Sequence, residues 1–139
     1  MKNSIKKLLL LLLVSFCFSC SNDEDIAPAV NFEEKIIGTW QLMGREPNGI
    51  EVCELDNIIR FSENGELFVK VFIGDTPGNC QSASRSGTWS YQGNNFIEVD
   101  LTGVEENALV NILFFDNYTA FKLIQENAEE GHYETYIKQ

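Results

Sequence analysis

Ser62-Glu63-Asn64-Gly65-Glu66-Leu67-Phe68-Val69-Lys70-Val71-Phe72-Ile73 is the segment on which the fold turns. Leu67, Val69, Val71 and Ile73 recur at every second position. A period of two puts them on one side of an extended strand, facing a core. The four residues before the strand form a turn, and Asn64-Gly65 supplies the positive φ that a tight reversal needs. A strand entered through a hairpin turn implies an antiparallel neighbour just upstream.

The same grammar repeats outward from this segment. Upstream, Asn57–Phe61 reads as a strand. Thr39–Met43 reads as another, separated from it by the turn residues Glu46-Pro47-Asn48-Gly49. Downstream, Gly74–Asn79 breaks the chain, and the polar run Gln81–Ser86 reads as an extension of that loop. Strands then follow at Thr88–Gln92, Phe96–Leu101, Ala108–Phe115, Thr119–Gln125 and His132–Lys138. Ala108–Phe115 is the most apolar and is expected to be covered on both faces. Phe32–Ile37 suits one helical turn, and no longer segment after it carries helical spacing. Short strands joined by hairpin-length turns predict an all-β, eight-stranded antiparallel up-and-down barrel, whose closure removes exposed edges. A two-sheet sandwich is the alternative.

Alternation nominates the interior. Leu67, Val69 and Val71 form one inward set, Ile97, Val99 and Leu101 a second, and Phe121 and Leu123 a third. Tyr133, Thr135 and Ile137 form a fourth in the last strand. An eight-stranded barrel is large enough to hold one small ligand. The first three sets and Tyr133, with Trp40 and Trp89, are therefore the candidate lining of a cavity.

The N-terminus reads as a leader. Lys2, Lys6 and Lys7 precede an apolar stretch, Leu8–Phe18, about half the roughly 20 residues that a spanning helix requires. Ser19-Cys20 resembles the lipobox of bacterial lipoproteins, which implies cleavage before Cys20 and lipid attachment to it. Residues 1–19 are then signal peptide. Residues 20–35 are a lipidated, acidic, flexible tether, and residues 36–139 are the barrel domain. Ser21-Asn22-Asp23-Glu24-Asp25 resembles the acidic surface-export signal of Bacteroidetes lipoproteins. The expected location is the outer membrane, lipid-anchored and surface-exposed.

All 21 acidic residues follow Cys20, and three of the ten basic ones precede it, so the mature chain carries −14. Phosphate backbones are bound by clustered Lys and Arg, so nucleic acid is excluded as a partner. Cys17 leaves with the leader and Cys20 is taken by lipid. Cys53 and Cys80 remain, and in an oxidising compartment a bridge between them is expected. Two buried thiols are the alternative. A zinc site lacks ligands, because His132 is the single histidine.

Gly-Thr-Trp occurs twice, at Gly38-Thr39-Trp40 and Gly87-Thr88-Trp89, each time opening a strand. Each tryptophan offers a large apolar area near a barrel end, where its N–H can reach a carbonyl. Ile37-Gly38-Thr39-Trp40 resembles the Gly-x-Trp signature of lipocalins. With Cys53-Glu54-Leu55-Asp56-Asn57, Phe61-Ser62-Glu63-Asn64-Gly65, Cys80 and Gly87-Thr88-Trp89-Ser90-Tyr91, the pattern is similar to the lipocalin-like domain of small Bacteroidetes lipoproteins. That resemblance implies an eight-stranded barrel with an internal cavity.

Enzymatic chemistry finds no support. His132 sits beside an acidic turn without a nucleophile partner, and no Gly-x-Ser-x-Gly elbow, phosphate loop, dinucleotide fingerprint or EF-hand spacing occurs. No cofactor is expected. The expected function is binding of a small hydrophobic or amphipathic ligand. The alternative is a protein-interaction module, an envelope inhibitor or accessory subunit, motivated by the loop Gly74–Ser86 held by Cys80 and by the negative charge.

Overall fold

The computed structural model describes residues 31–139; the leader, Cys20 and most of the tether lie outside them. Asn31 caps a short helix, α1 (Phe32–Ile36), its side chain accepting the Glu33 N–H at 3.1 Å. The strands follow in order: β1 (Gly38–Glu46), β2 (Ile58–Phe61), β3 (Glu66–Ile73), β4 (Gln81–Gly93), β5 (Phe96–Leu101), β6 (Ala108–Phe115), β7 (Ala120–Gln125) and β8 (Tyr133–Lys138). A 3-10 helix, Val52–Asp56, interrupts the connection from β1 to β2. Every strand pairs antiparallel with its sequence neighbours, and β8 pairs with β1 to close the barrel. The sandwich is thereby excluded.

The folded unit begins earlier than the expected boundary at residue 36. Phe32 and Ile36 are buried, so α1 belongs to the core and not to a tether. Its apolar pair closes one end of the barrel. The Phe32 ring stacks on Tyr91 at 4.5 Å and meets Phe114 edge-on at 5.4 Å.

Three expectations are corrected, each for a physical reason. Gln81–Ser86 is strand, not loop: it pairs with β3 from Ile73 to Phe68, while β5 pairs with β4 only from Gly87 onward. The outer half of the β3–β4 hairpin is therefore a two-stranded ribbon, and all six of these β4 residues are exposed. With water on both faces, nothing imposes apolar alternation. Second, β6 is covered on one face only, because Leu113 and Phe115 are exposed on the outside. Third, β8 faces the other way. Its interior residues are Glu134 and Tyr136, opposite Leu123 and Phe121 of β7, while Tyr133, Thr135 and Ile137 point outward.

Gly87 does not open a strand as expected but lies in the middle of β4, where pairing with β5 begins, and this position must be glycine. A Cβ there would lie 1.9 Å from the Asp100 carbonyl oxygen, so the β4 backbone reaches β5 only because no side chain intervenes.

Candidate functional site: the open end of the barrel

The interior is filled at one end and open at the other. The filled end, the floor, lies under α1. Trp40, Phe121, Ile97, Ile112 and Leu42 are wholly buried, with Phe61, Leu67, Trp89 and Val110 nearly so. Aromatic rings cluster there: Trp40 lies 4.6 Å from Phe121, and Phe121 stacks on Tyr136 at 5.3 Å. Both tryptophans anchor their N–H groups to carbonyls at this end, Trp40 to Ile36 at 2.7 Å and Trp89 to Ser62 at 3.1 Å. Toward the other end, the mouth, interior positions lose cover. Val69, Val71, Val99, Leu101 and Leu123 are half-buried, and Ala83, Arg85, Ala108 and Gln125 are exposed.

A β-bulge places a charge in the mouth. The register of β1 against β8 runs Leu42 with Tyr136, then Gly44 with Thr135, then Arg45 with Glu134. The extra residue sends Met43 outward, and Arg45 takes the interior phase. Arg45 Nη1 donates to Glu54 Oε1 at 2.8 Å, while Nε and Nη2 donate to Glu134 Oε1 at 2.9 and 2.8 Å. Tyr136 donates its hydroxyl to Glu134 Oε2 at 2.8 Å, and the Glu51 N–H donates to Glu54 Oε2 at 2.8 Å. One guanidinium thus ties β1, β8 and the 3-10 helix together.

The electrostatics follow from this geometry. Burial opposes the charge on Arg45, but hydrogen bonds and charges from Glu54 and Glu134 outweigh it and hold the guanidinium above its ordinary value. Burial likewise opposes the Glu54 carboxylate, yet the Glu51 N–H and Arg45 prevail and hold it below its ordinary value. Burial pushes the Tyr136 phenol well up, and the Glu134 charge adds to it, so the hydroxyl remains a donor.

A depressed carboxylate contributes stability above its unfolded value, and that contribution is lost as pH falls through the folded one. Glu54→Gln is therefore expected to cost about 1 kcal/mol at neutral pH, with the difference from wild type shrinking below about pH 4.3. Urea midpoints at pH 7 and pH 3.5 check this, and a gap that does not change with pH would refute it.

Beside this network lies an open cleft of about 450 Å³, lined by Arg45, Glu46, Leu123, Gln125, Ala128, Glu129, His132, Tyr133 and Glu134. The Cys53–Cys80 disulfide stands at the same end, joining the 3-10 helix to the start of β4 across a Cα–Cα distance of 5.6 Å. The free-thiol alternative falls away. Asn57, buried between these elements, accepts the Phe72 N–H on its side chain and the Leu42 N–H on its carbonyl. Among the described residues no group of histidine, cysteine and carboxylate side chains could hold a metal ion.

Residues 36–119, from the end of α1 to the turn before β7, match the lipocalin-like domain family. The chain belongs to this family. A search of the curated proteins finds no match. The match carries β1 to β6, and the structure adds β7 and β8 as the strands that close the lipocalin-like barrel.

Within this barrel ten of the eleven sequence-nominated lining residues separate into two groups. Trp40, Leu67, Trp89, Ile97 and Phe121 are packed into the floor and line no opening, because their own rings and branches fill it. Val69, Val71, Val99, Leu101 and Leu123 stand higher and are half-buried. Tyr133 reaches the cleft from the rim, although its strand phase is outward. Alternation marks none of Arg45, Glu54, Glu134 and Tyr136 as interior. A bulge is invisible to alternation, and charged residues at interior phase run against it. The available signal is Tyr136 itself, a large aromatic between Thr135 and Ile137.

Proposed function

We propose that this lipocalin-like domain carries a small amphipathic ligand in its mouth, as a non-enzymatic, lipid-anchored protein of a bacterial outer membrane. The observation that carries the binding reading is the burial gradient along the interior. Wholly buried aromatics at the floor give way to half-buried valines and leucines, then to exposed polar groups. A ligand with an apolar body and a polar tip matches that gradient. The Ser19-Cys20 pattern supports lipidation, and the disulfide agrees with an oxidising compartment.

Native mass spectrometry of the mature protein, extracted from cells that make it, tests the reading. A defined extra mass that leaves on gentle activation is expected. Protein that stays bare after incubation with a panel of amphiphiles would overturn it.

A second reading, protein interaction, has one observation in its favour. β4 is paired on one side only over Gln81–Arg85, so the ribbon offers a free edge to an added strand. A stoichiometric polypeptide in the same spectra would favour it.

A further inference from the structure

Arg85 differs from every other cation among the described residues. Lys35, Arg60, Lys70, Lys122 and Lys138 each lie over an aromatic ring, and Arg45 is held by two carboxylates. Among the described residues Arg85 meets no ion-pair partner, no side-chain hydrogen-bond partner and no aromatic face. It is exposed in a chain whose acidic residues greatly outnumber its basic ones.

Its position gives that freedom a meaning. Arg85 pairs directly with Val69, which pairs with Ile59, which pairs with Trp40. Directly opposed residues share a face, so these four form one interior row. The row climbs from wholly buried Trp40 through buried Ile59 and half-buried Val69 to exposed Arg85. The guanidinium therefore terminates an apolar wall at the mouth, on the strand opposite β8. Val71 and Leu101 flank the same wall: Val71 is the next interior residue of β3, and Leu101 faces Gly87, the next interior position of β4.

We propose that Arg85 binds the oxyanion head of a single-chain anionic amphiphile whose tail lies along Val69, Val71 and Leu101. The inference rests on the ligand-binding reading and adds the charge class of the ligand. A guanidinium presents a planar fork that matches a carboxylate with two parallel hydrogen bonds. Glu54 and Glu134 do not compete with this anion for Arg85, since Arg45 already engages both. Glu134 lies on β8, across the barrel from β4, and physiological salt screens exposed charges beyond about 8 Å.

The test compares dodecanoate with 1-dodecanol, probes of equal chain length that differ in head charge. Both are titrated calorimetrically, below their aggregation limits, into wild type and Arg85→Gln. Wild type is expected to favour dodecanoate by about tenfold, the scale of one charge-assisted pair. In Arg85→Gln that preference should vanish while dodecanol affinity stays the same, and Arg85→Lys should restore part of it. Dodecanol binding without a preference in wild type, or a preference that survives in Arg85→Gln, overturns the role of Arg85 and leaves the ligand-binding reading standing. Failure of both probes to bind wild type overturns both.

Discussion

Trp40→Ala is expected to destabilise the domain by about 4 kcal/mol, a large share of the total for a domain of this size. Two losses combine. The indole is wholly buried against Phe121 and Phe114, so its removal leaves a cavity that rigid rings on either side cannot refill. Its N–H also satisfies the Ile36 carbonyl at 2.7 Å, the contact that seats α1 on the floor. Trp40→Phe separates the two, because it keeps most of the apolar volume and removes only the donor. That variant should lose about 1 to 2 kcal/mol, near the cost of one unsatisfied buried acceptor. Guanidinium chloride unfolding at neutral pH measures both. A loss below about 1 kcal/mol for the alanine variant would mean the floor collapses around the gap. Binding at the mouth should survive in whatever fraction stays folded, since Trp40 belongs to the opposite end.

Replacing Cys53 and Cys80 together by alanine is expected to cost about 3.5 kcal/mol, from the freedom regained by an unfolded loop of about 28 residues. The bridge does more than shorten the unfolded chain. Cys53 is buried and precedes Glu54 directly, so the bridge also holds the carboxylate that grips Arg45. The double variant combined with Glu54→Gln should then lose less than the sum of the separate losses, because the ion pair is already loosened without the bridge. Urea unfolding of the set decides it. Strict additivity would show that Glu54 keeps its place unaided. A double variant within about 1 kcal/mol of wild type would show that the unfolded chain is already compact there.

The strand order was readable because most strands bury one face and end in turn residues. Glu66–Ile73 and Phe96–Leu101 are found with the bounds that alternation and turn chemistry suggested. Elements escaped where burial ceased to dictate sequence. Gln81–Ser86 is strand by backbone pairing alone, so its serines carry no pattern. In β8 the interior phase holds Glu134 and Tyr136, where hydrogen bonding joins the ring contact of Tyr136 with Phe121. Arg45 needed the bulge at Met43 to turn inward, a one-residue slip in register that side-chain type does not announce. The candidate site was hidden for the same reason, because its polar residues occupy places where alternation expects apolar ones.

Both ends of the folded chain meet at the floor. The Gln139 N–H donates to the Thr39 carbonyl at 2.9 Å, and Lys138 Nζ donates to the Lys35 carbonyl at 3.2 Å. The barrel is thus a cup with α1 and Gln139 at its base. A reporter fused after Gln139 would leave the rim clear. A short linker from Gln139 back to Asn31 would permit circular permutation, with new termini cut into the exposed rim loop between β5 and β6 and no strand divided.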